Sequence, residues 1–309
     1  MTAFTDLVGC RLPLQLASLG GPIGTPALAA AVSGAGGLGT IPNPSSAADV
    51  ENLVGTARAA TSGPIGVGFL IPFVARDAVE AAAATADVVE FFYGDPDPDL
   101  VRLAGAHGAC TGWQVGSAAE ARAAVAAGCQ FVMVQGIEGG GHVRGRQGLD
   151  ELLAQTLETV EVPVVAAGGV GTAERLIALL DAGAAAVRVG TRFVATEESD
   201  AHPDYVARLV AASAGDTVLT GTFNIGWPDA PHRVLKSAVD AAESTDRETV
   251  GTLGGGDIPR LAPVPPTRAT EGEIGAMALY AGESVGAVTR VQPAADVVAE
   301  LTAPLADTG

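Results

Sequence analysis

Three stretches of this chain set reactive residue types beside glycine. The first is Gln135-Gly136-Ile137-Glu138-Gly139-Gly140-Gly141-His142, where an imidazole follows three consecutive glycines. Glycines leave little side chain to pack around a histidine. It is therefore either a solvated loop residue or a general base, in a place where bare backbone admits a flat ligand. The second stretch is Val164-Val165-Ala166-Ala167-Gly168-Gly169-Val170-Gly171-Thr172, an apolar run that ends in paired glycines and a helix-capping threonine. Such a turn lets backbone approach an anion, and the N–H groups and dipole of the next helix bind it. The third, Val187-Arg188-Val189-Gly190-Thr191-Arg192, adds another glycine and a hydroxyl at a second such turn. Read together, Gly168, Gly169, Gly190 and Thr191 form a site for a phosphate-bearing ligand.

Other motifs fail in their context. Gly34-Ala35-Gly36-Gly37-Leu38-Gly39 matches G-x-G-x-x-G, but these glycines end a helix and enter a strand, the reverse of a dinucleotide fingerprint. Gly282-Glu283-Ser284-Val285-Gly286 matches a nucleophile elbow, yet no histidine follows Ser284 to complete the triad in chain order, His232 being the last. The four histidines (His107, His142, His202, His232) show no H-E-x-x-H and no zinc spacing with a cysteine, so no metal is expected. Lys236 is the only lysine, which sets aside Schiff-base and pyridoxal-phosphate chemistry.

The elements that must carry these turns follow from periodicity. Short Val/Ile/Leu/Phe runs at 13–17, 38–41, 65–70, 88–92, 109–115, 131–134, 164–167 and 186–190 alternate with Ala-rich helical segments at 25–35, 77–84, 117–127, 149–158 and 172–181. Eight strands alternating with helices predict an α/β fold, a (β/α)8 TIM barrel, whose loops after strands seven and eight are the usual phosphate site. After the eighth strand the rhythm breaks. Residues 198–283, with helical patches at 202–214 and 231–243 and a Gly/Pro-rich run at 254–266, are expected to form a small, mostly helical cap inserted into a barrel of 1–197 and 284–309. The last helix is expected at 294–301.

Composition bounds the partners. The chain has 309 residues, 48% hydrophobic and 17% charged, enough to bury a substantial core. With 17 basic against 35 acidic residues the net charge is −18, which argues against nucleic acid and anionic membrane surfaces. Residues 12–48 are uncharged, but Pro13, Pro22, Pro26, Pro42 and Pro44 interrupt any membrane-spanning helix. Three widely spaced cysteines make no disulfide framework, and the opening MTAFTDLVGCR lacks a basic then apolar leader. A cytoplasmic location is expected; the oligomeric state is not legible.

Residues 13–39, 135–142, 166–171, 189–199 and 280–286 together resemble the nitronate monooxygenases, also called 2-nitropropane dioxygenases, and are similar to the related flavin-dependent enoyl-ACP reductases. The resemblance covers nearly the whole chain in the same order. It implies an FMN-containing TIM barrel with a cap, in which His142 falls on the catalytic histidine, Gly168 and Gly169 on the first phosphate turn, and Gly190 with Thr191 on the second. It further implies that Ala17, Ser18 and Leu19 lie beside the isoalloxazine and that Gln135, Gly140 and Gly141 flank its other side. Three departures stand out: Ala17-Ser18-Leu19 replaces Ala-Pro-Met, Gly68 stands where the family often has Asn, and Glu138-Gly139-Gly140-Gly141-His142 replaces E-A-G-G-H. The lost asparagine removes one polar contact to the flavin. The fourth strand end, with Phe91, Phe92 and Tyr93, resembles a pocket wall but is equally compatible with core.

The expected activity is FMN-dependent oxidation of a small nitronate or nitroalkane with O2, giving a carbonyl compound and nitrite, with His142 as base. The alternative is an NAD(P)H-dependent reductase of a quinone or enoyl thioester on the same scaffold. It would need a nicotinamide site that no motif marks. A non-enzymatic flavin-binding or acidic scaffold protein is the third reading.

Overall fold

In the computed structural model, which describes residues 2–306, eight parallel strands surround one axis. They are Leu14–Leu16, Gly39–Pro42, Ile65–Leu70, Val88–Phe92, Cys110–Val115, Phe131–Gln135, Val164–Ala167 and Ala186–Val189, each within a residue or so of the sequence expectation. Seven neighbouring pairs are laddered in parallel, with Leu14 opposite Val187 joining the first strand to the eighth. The ring closes at its last seam through Leu16 N to Leu38 O and Leu38 N to Leu14 O, both 2.9 Å. This is the (β/α)8 barrel.

Several barrel helices begin where the sequence placed a short polar cap. Thr25, Ser46, Ser117 and Thr172 each accept a backbone N–H with the side chain, satisfying one of the amides a helix start leaves unpaired. The Gly34–Gly39 run is a helix end and strand entry: Gly36 is left-handed at φ 111°, and a Cβ on Gly39 would run into the carbonyl of Ala29. The strands are buried on both faces, as parallel strands under a helical layer are. Helix Ala3–Val8 closes the N-terminal end of the barrel, its Phe4 ring packed edge-on against Phe131 with centroids 5.4 Å apart. The opposite end is left for the site.

The 198–283 segment differs from the expected mostly helical cap. It holds helices Pro203–Ala211 and Lys236–Ser244, but also two small antiparallel sheets. Strand His232–Leu235 pairs with Thr217–Thr220 on one side and with Gly141–His142 on the other, so the patch read as a helix from 231 begins as a strand. The hairpin Thr249–Leu253 with Gly256–Pro259 turns through Gly254 and Gly255, both at positive φ, which accounts for the glycines in that run. A second apolar cluster, including Tyr205, Leu209, Phe223, Val234 and Leu279, fills this part. Among the described residues no helix is long and apolar enough to cross a membrane.

Candidate active site

A cavity opens at the C-terminal ends of the barrel strands, where this fold keeps its variable loops. The first strand delivers Ala17, Ser18 and Leu19 to it and the third Gly68. The sixth delivers Gln135 and, through its loop, Gly140, Gly141 and His142. The seventh and eighth deliver Gly168, Gly169, Gly190 and Thr191. All twelve residues singled out from the sequence therefore line the same space.

The glycine-rich loop is held in place rather than free. Ile137 N–H donates to Gln147 O at 3.0 Å and Gly136 N–H to Ala167 O at 3.0 Å. Gln135 Nε2 donates to the His142 carbonyl at 3.1 Å, and Glu138 accepts the N–H of Leu149 at the start of the next helix at 3.1 Å. A Cβ on Gly140 would stand 2.5 Å from Gly282 N, so the loop and the 282–286 segment touch backbone to backbone. Gly282 N–H in turn donates to Thr191 Oγ1 at 3.0 Å. Gly168 at φ 110° and Gly169 at φ 70° are in conformations that only glycine adopts without strain.

His142 has a defined protonation geometry. Its Nδ1 lies 3.2 Å from Ala230 O, and Nδ1 of His232 lies 3.0 Å from the same oxygen. Phe223 N–H donates to His232 Nε2 at 3.2 Å, which fixes the His232 proton on Nδ1. With Nδ1 of His142 also donating to Ala230 O, its Nε2 is the open nitrogen, 3.5 Å from Tyr280 Oη. That hydroxyl donates to Pro263 O at 3.0 Å. Burial, reinforced by His232, pushes the His142 imidazole down to about 4, so it is neutral near pH 7. Burial lowers His232 in the same direction. Around the His142 ring stand Trp227, with centroids 4.0 Å apart and planes 36° apart, and Tyr93 and Tyr280, both at 5.7 Å. Tyr93 is held at φ 63°, a strained conformation for a bulky side chain.

Several cavity residues were not among the site residues expected from the sequence. Glu90, Gln114, Arg188, Tyr280 and Ser284 also line the space, and Trp227 backs His142. At the fourth strand end, which the sequence left as either pocket wall or core, Phe91 and Phe92 line the cavity, Phe91 also belongs to the core, and Tyr93 turns toward His142. Glu90 and Arg188 had one sequence signal: each is a single charge inside an otherwise apolar strand, in Val88-Val89-Glu90-Phe91-Phe92 and Val187-Arg188-Val189.

The nitronate monooxygenase family model matches residues 1–304. A nitronate monooxygenase of Pseudomonas aeruginosa is 32% identical over 270 residues, 72% of this chain and 77% of that protein. A (3aS,4S,5R,7aS)-5-hydroxy-7a-methyl-1-oxo-octahydro-1H-indene-4-carboxyl-CoA dehydrogenase of Rhodococcus jostii is 32% identical over 246 residues, 76% of this chain but 66% of that longer protein. Among solved structures, FabK of Thermotoga maritima superposes with a TM-score of 0.80 at 29% identity, covering 100% of this chain and 97% of that one. Nitroalkane oxidase of Streptomyces ansochromogenes superposes with a TM-score of 0.78 at 29% identity, covering 99% and 98%. The chain belongs to the nitronate monooxygenase family and is an oxidoreductase.

Proposed function

We propose that the protein binds FMN in this cavity and oxidises nitronates and nitroalkanes with O2, giving a carbonyl compound and nitrite, with His142 as base. The observation that carries this reading is the open Nε2 of a neutral His142, beside Tyr280, on a cavity whose rim has two glycine-ended turns. The fit to a flavin rests on two features. Gln135 Oε1 is buried without a hydrogen-bond partner at the cavity wall, an acceptor for a ring N–H. The paired positive-φ glycines before the capped helix Ala173–Asp181 suit a phosphate.

In this reading Gly168, Gly169, Gly190 and Thr191 would hold the phosphate, and Ala17, Ser18, Leu19, Gly68, Gln135, Gly140 and Gly141 would hold the ring system. The bound flavin supplies two-electron chemistry and a route to O2. His142 takes the α-proton of a neutral nitroalkane on Nε2. The Trp227 ring, its centroid 4.0 Å from that of His142 and its plane tilted by 36°, then lies against the imidazolium and offsets part of its desolvation. Ala230 O holds the imidazole in register throughout. We further propose that 198–283 act as a cap on a barrel domain of 1–197 and 284–309, excluding water above His142.

The likeness to FabK favours a second reading, an NAD(P)H-dependent reductase of a quinone or enoyl thioester. Anaerobic titration of the flavin-loaded protein separates them. Propyl nitronate should bleach the flavin absorbance and NADH should not; the opposite pattern selects the reductase.

A further inference from the structure

The charged groups lining the cavity, among the described residues, are a single ion pair: Glu90 from the fourth strand and Arg188 from the eighth. They meet in a bidentate contact, with Nη1 2.7 Å from Oε2 and Nη2 2.6 Å from Oε1. The side chains are only 3% and 6% exposed. Gln15 Nε2 donates to Oε2 at 2.6 Å, while its own Oε1 is buried without a partner. Arg188 Nη1 also lies 3.1 Å from Met133 Sδ.

Fold stability does not explain this arrangement. A buried ion pair recovers in attraction about what it loses in desolvation, and apolar residues of the same volume do as well or better. The surrounding strands are built from Val, Phe and Ala. The unpartnered Gln15 oxygen adds a further cost, incurred to give the carboxylate a third donor. What the pair does have is position, because both residues line the space over the strand ends, and a ligand there lies in their field.

We propose that Glu90 holds down the reduction potential of the flavin by offsetting the Arg188 guanidinium it is paired with. The inference rests on the FMN reading above. A hydride equivalent from the substrate, two electrons and one proton, leaves the ring with one negative charge. A guanidinium beneath the cavity favours that charge, and a carboxylate opposes it. Held 2.6 Å apart, the two nearly cancel, so the flavin is not strongly biased toward its reduced form. Gln15 keeps the carboxylate aimed at the guanidinium, and so acts as a positioning residue.

The test is the midpoint potential of bound FMN, measured by dye equilibration on the parent and on variants. Glu90→Gln uncovers the guanidinium and should raise the potential, with roughly tenfold tighter sulfite binding to the oxidised flavin, the equivalent of about 1.4 kcal/mol. Glu90→Gln combined with Arg188→Met replaces a neutral pair by another of similar volume and should return both readouts to the parent values. If Glu90→Gln does not fold, Arg188→Met serves, because the carboxylate left unpaired should lower the potential below that of the parent at the same pH. An unmoved potential in every single variant overturns the proposal, as does a shift that persists in the double variant. A parent protein that binds no flavin defeats the FMN reading instead, before any potential is measured.

Discussion

The hydroxyl of Ser18 occupies the space that a Cβ on Gly68 would need, and Glu90 Oε1 would stand 3.0 Å from that same carbon. The two family departures at these positions are thus one change seen from two strands. With Ser18 in this rotamer, a side chain at 68 would have to displace its hydroxyl and press on its Cβ at 3.1 Å. Gly68→Asn alone should lower stability by about 1–3 kcal/mol through overpacking. Ser18→Gly in the same chain should recover most of the loss, because it empties that space. Urea midpoints of the parent, both single variants and the double variant measure the coupling. Strict additivity would show the two positions to be independent.

Gly168 and Gly190 both end barrel strands at the cavity, yet their tolerance of a side chain should differ. Gly168 sits at φ 110°, and a Cβ there would press to 3.1 Å on Gly139 N; Gly169 sits at φ 70°. Gly190 has negative φ, and its Cβ would meet Ala17 Cβ at an ordinary 3.4 Å. Alanine at 168 or 169 should cost about 1–2 kcal/mol and strip the flavin from the purified protein. Gly190→Ala should fold with near-parent stability. Flavin content by absorbance at fixed protein concentration tests this contrast; equal loss at all three positions would mean that contact with the ligand, rather than backbone conformation, selects glycine.

The barrel was legible because its signals are local. Val164–Ala167 and Ala186–Val189 are unbroken apolar runs, and Thr172 caps the helix that follows the first of them. The paired-glycine turn proposed to hold a phosphate was legible for the same reason, since Gly168, Gly169 and Thr172 lie within five residues of one another. Long-range pairs were not. Glu90 and Arg188 are 98 positions apart in sequence and meet only when the fourth and eighth strands enter one barrel. His232 read as part of a helical patch because Val234, Leu235, Ala238 and Ala242 are spaced helically, but its pairing with His142 draws residues 232–235 into a strand. Trp227 sits in an irregular loop, with no periodicity to place it against His142.

Acid should destabilise the fold in a window set by His142. Its imidazole is held down to about 4, against an ordinary value near 6.5, because burial and the neighbouring His232 disfavour the cation. Between these values the unfolded chain binds a proton that the folded chain refuses. The contribution is therefore fully present above pH ~6.5 and is lost as pH falls toward 4, in total about 3 kcal/mol. His232, also lowered, adds in the same direction. Urea unfolding between pH 7.5 and 4.5 should show a shallower loss for His142→Asn than for the parent. Parallel curves would mean that His142 titrates normally in the folded state.

Replacing His142 itself separates proton transfer from positioning. Asn keeps a polar side chain of similar reach that can still face Ala230 O, but it has no nitrogen that titrates. Turnover of a neutral nitroalkane by His142→Asn should fall by about 10²–10⁴, the usual contribution of a placed base. A preformed nitronate has already lost its α-proton, so its oxidation should fall much less. Flavin content should stay near that of the parent, since the turns at Gly168 and Gly190 lie on other strands. Steady-state kinetics on the two substrates decide the matter. An equal loss on both would assign His142 to holding the anion, and an unchanged rate on the neutral nitroalkane would remove it from the chemistry. The unequal loss is expected because the open Nε2 beside Tyr280 is the base the site presents, and with the imidazole at about 4 it is unprotonated across the neutral range.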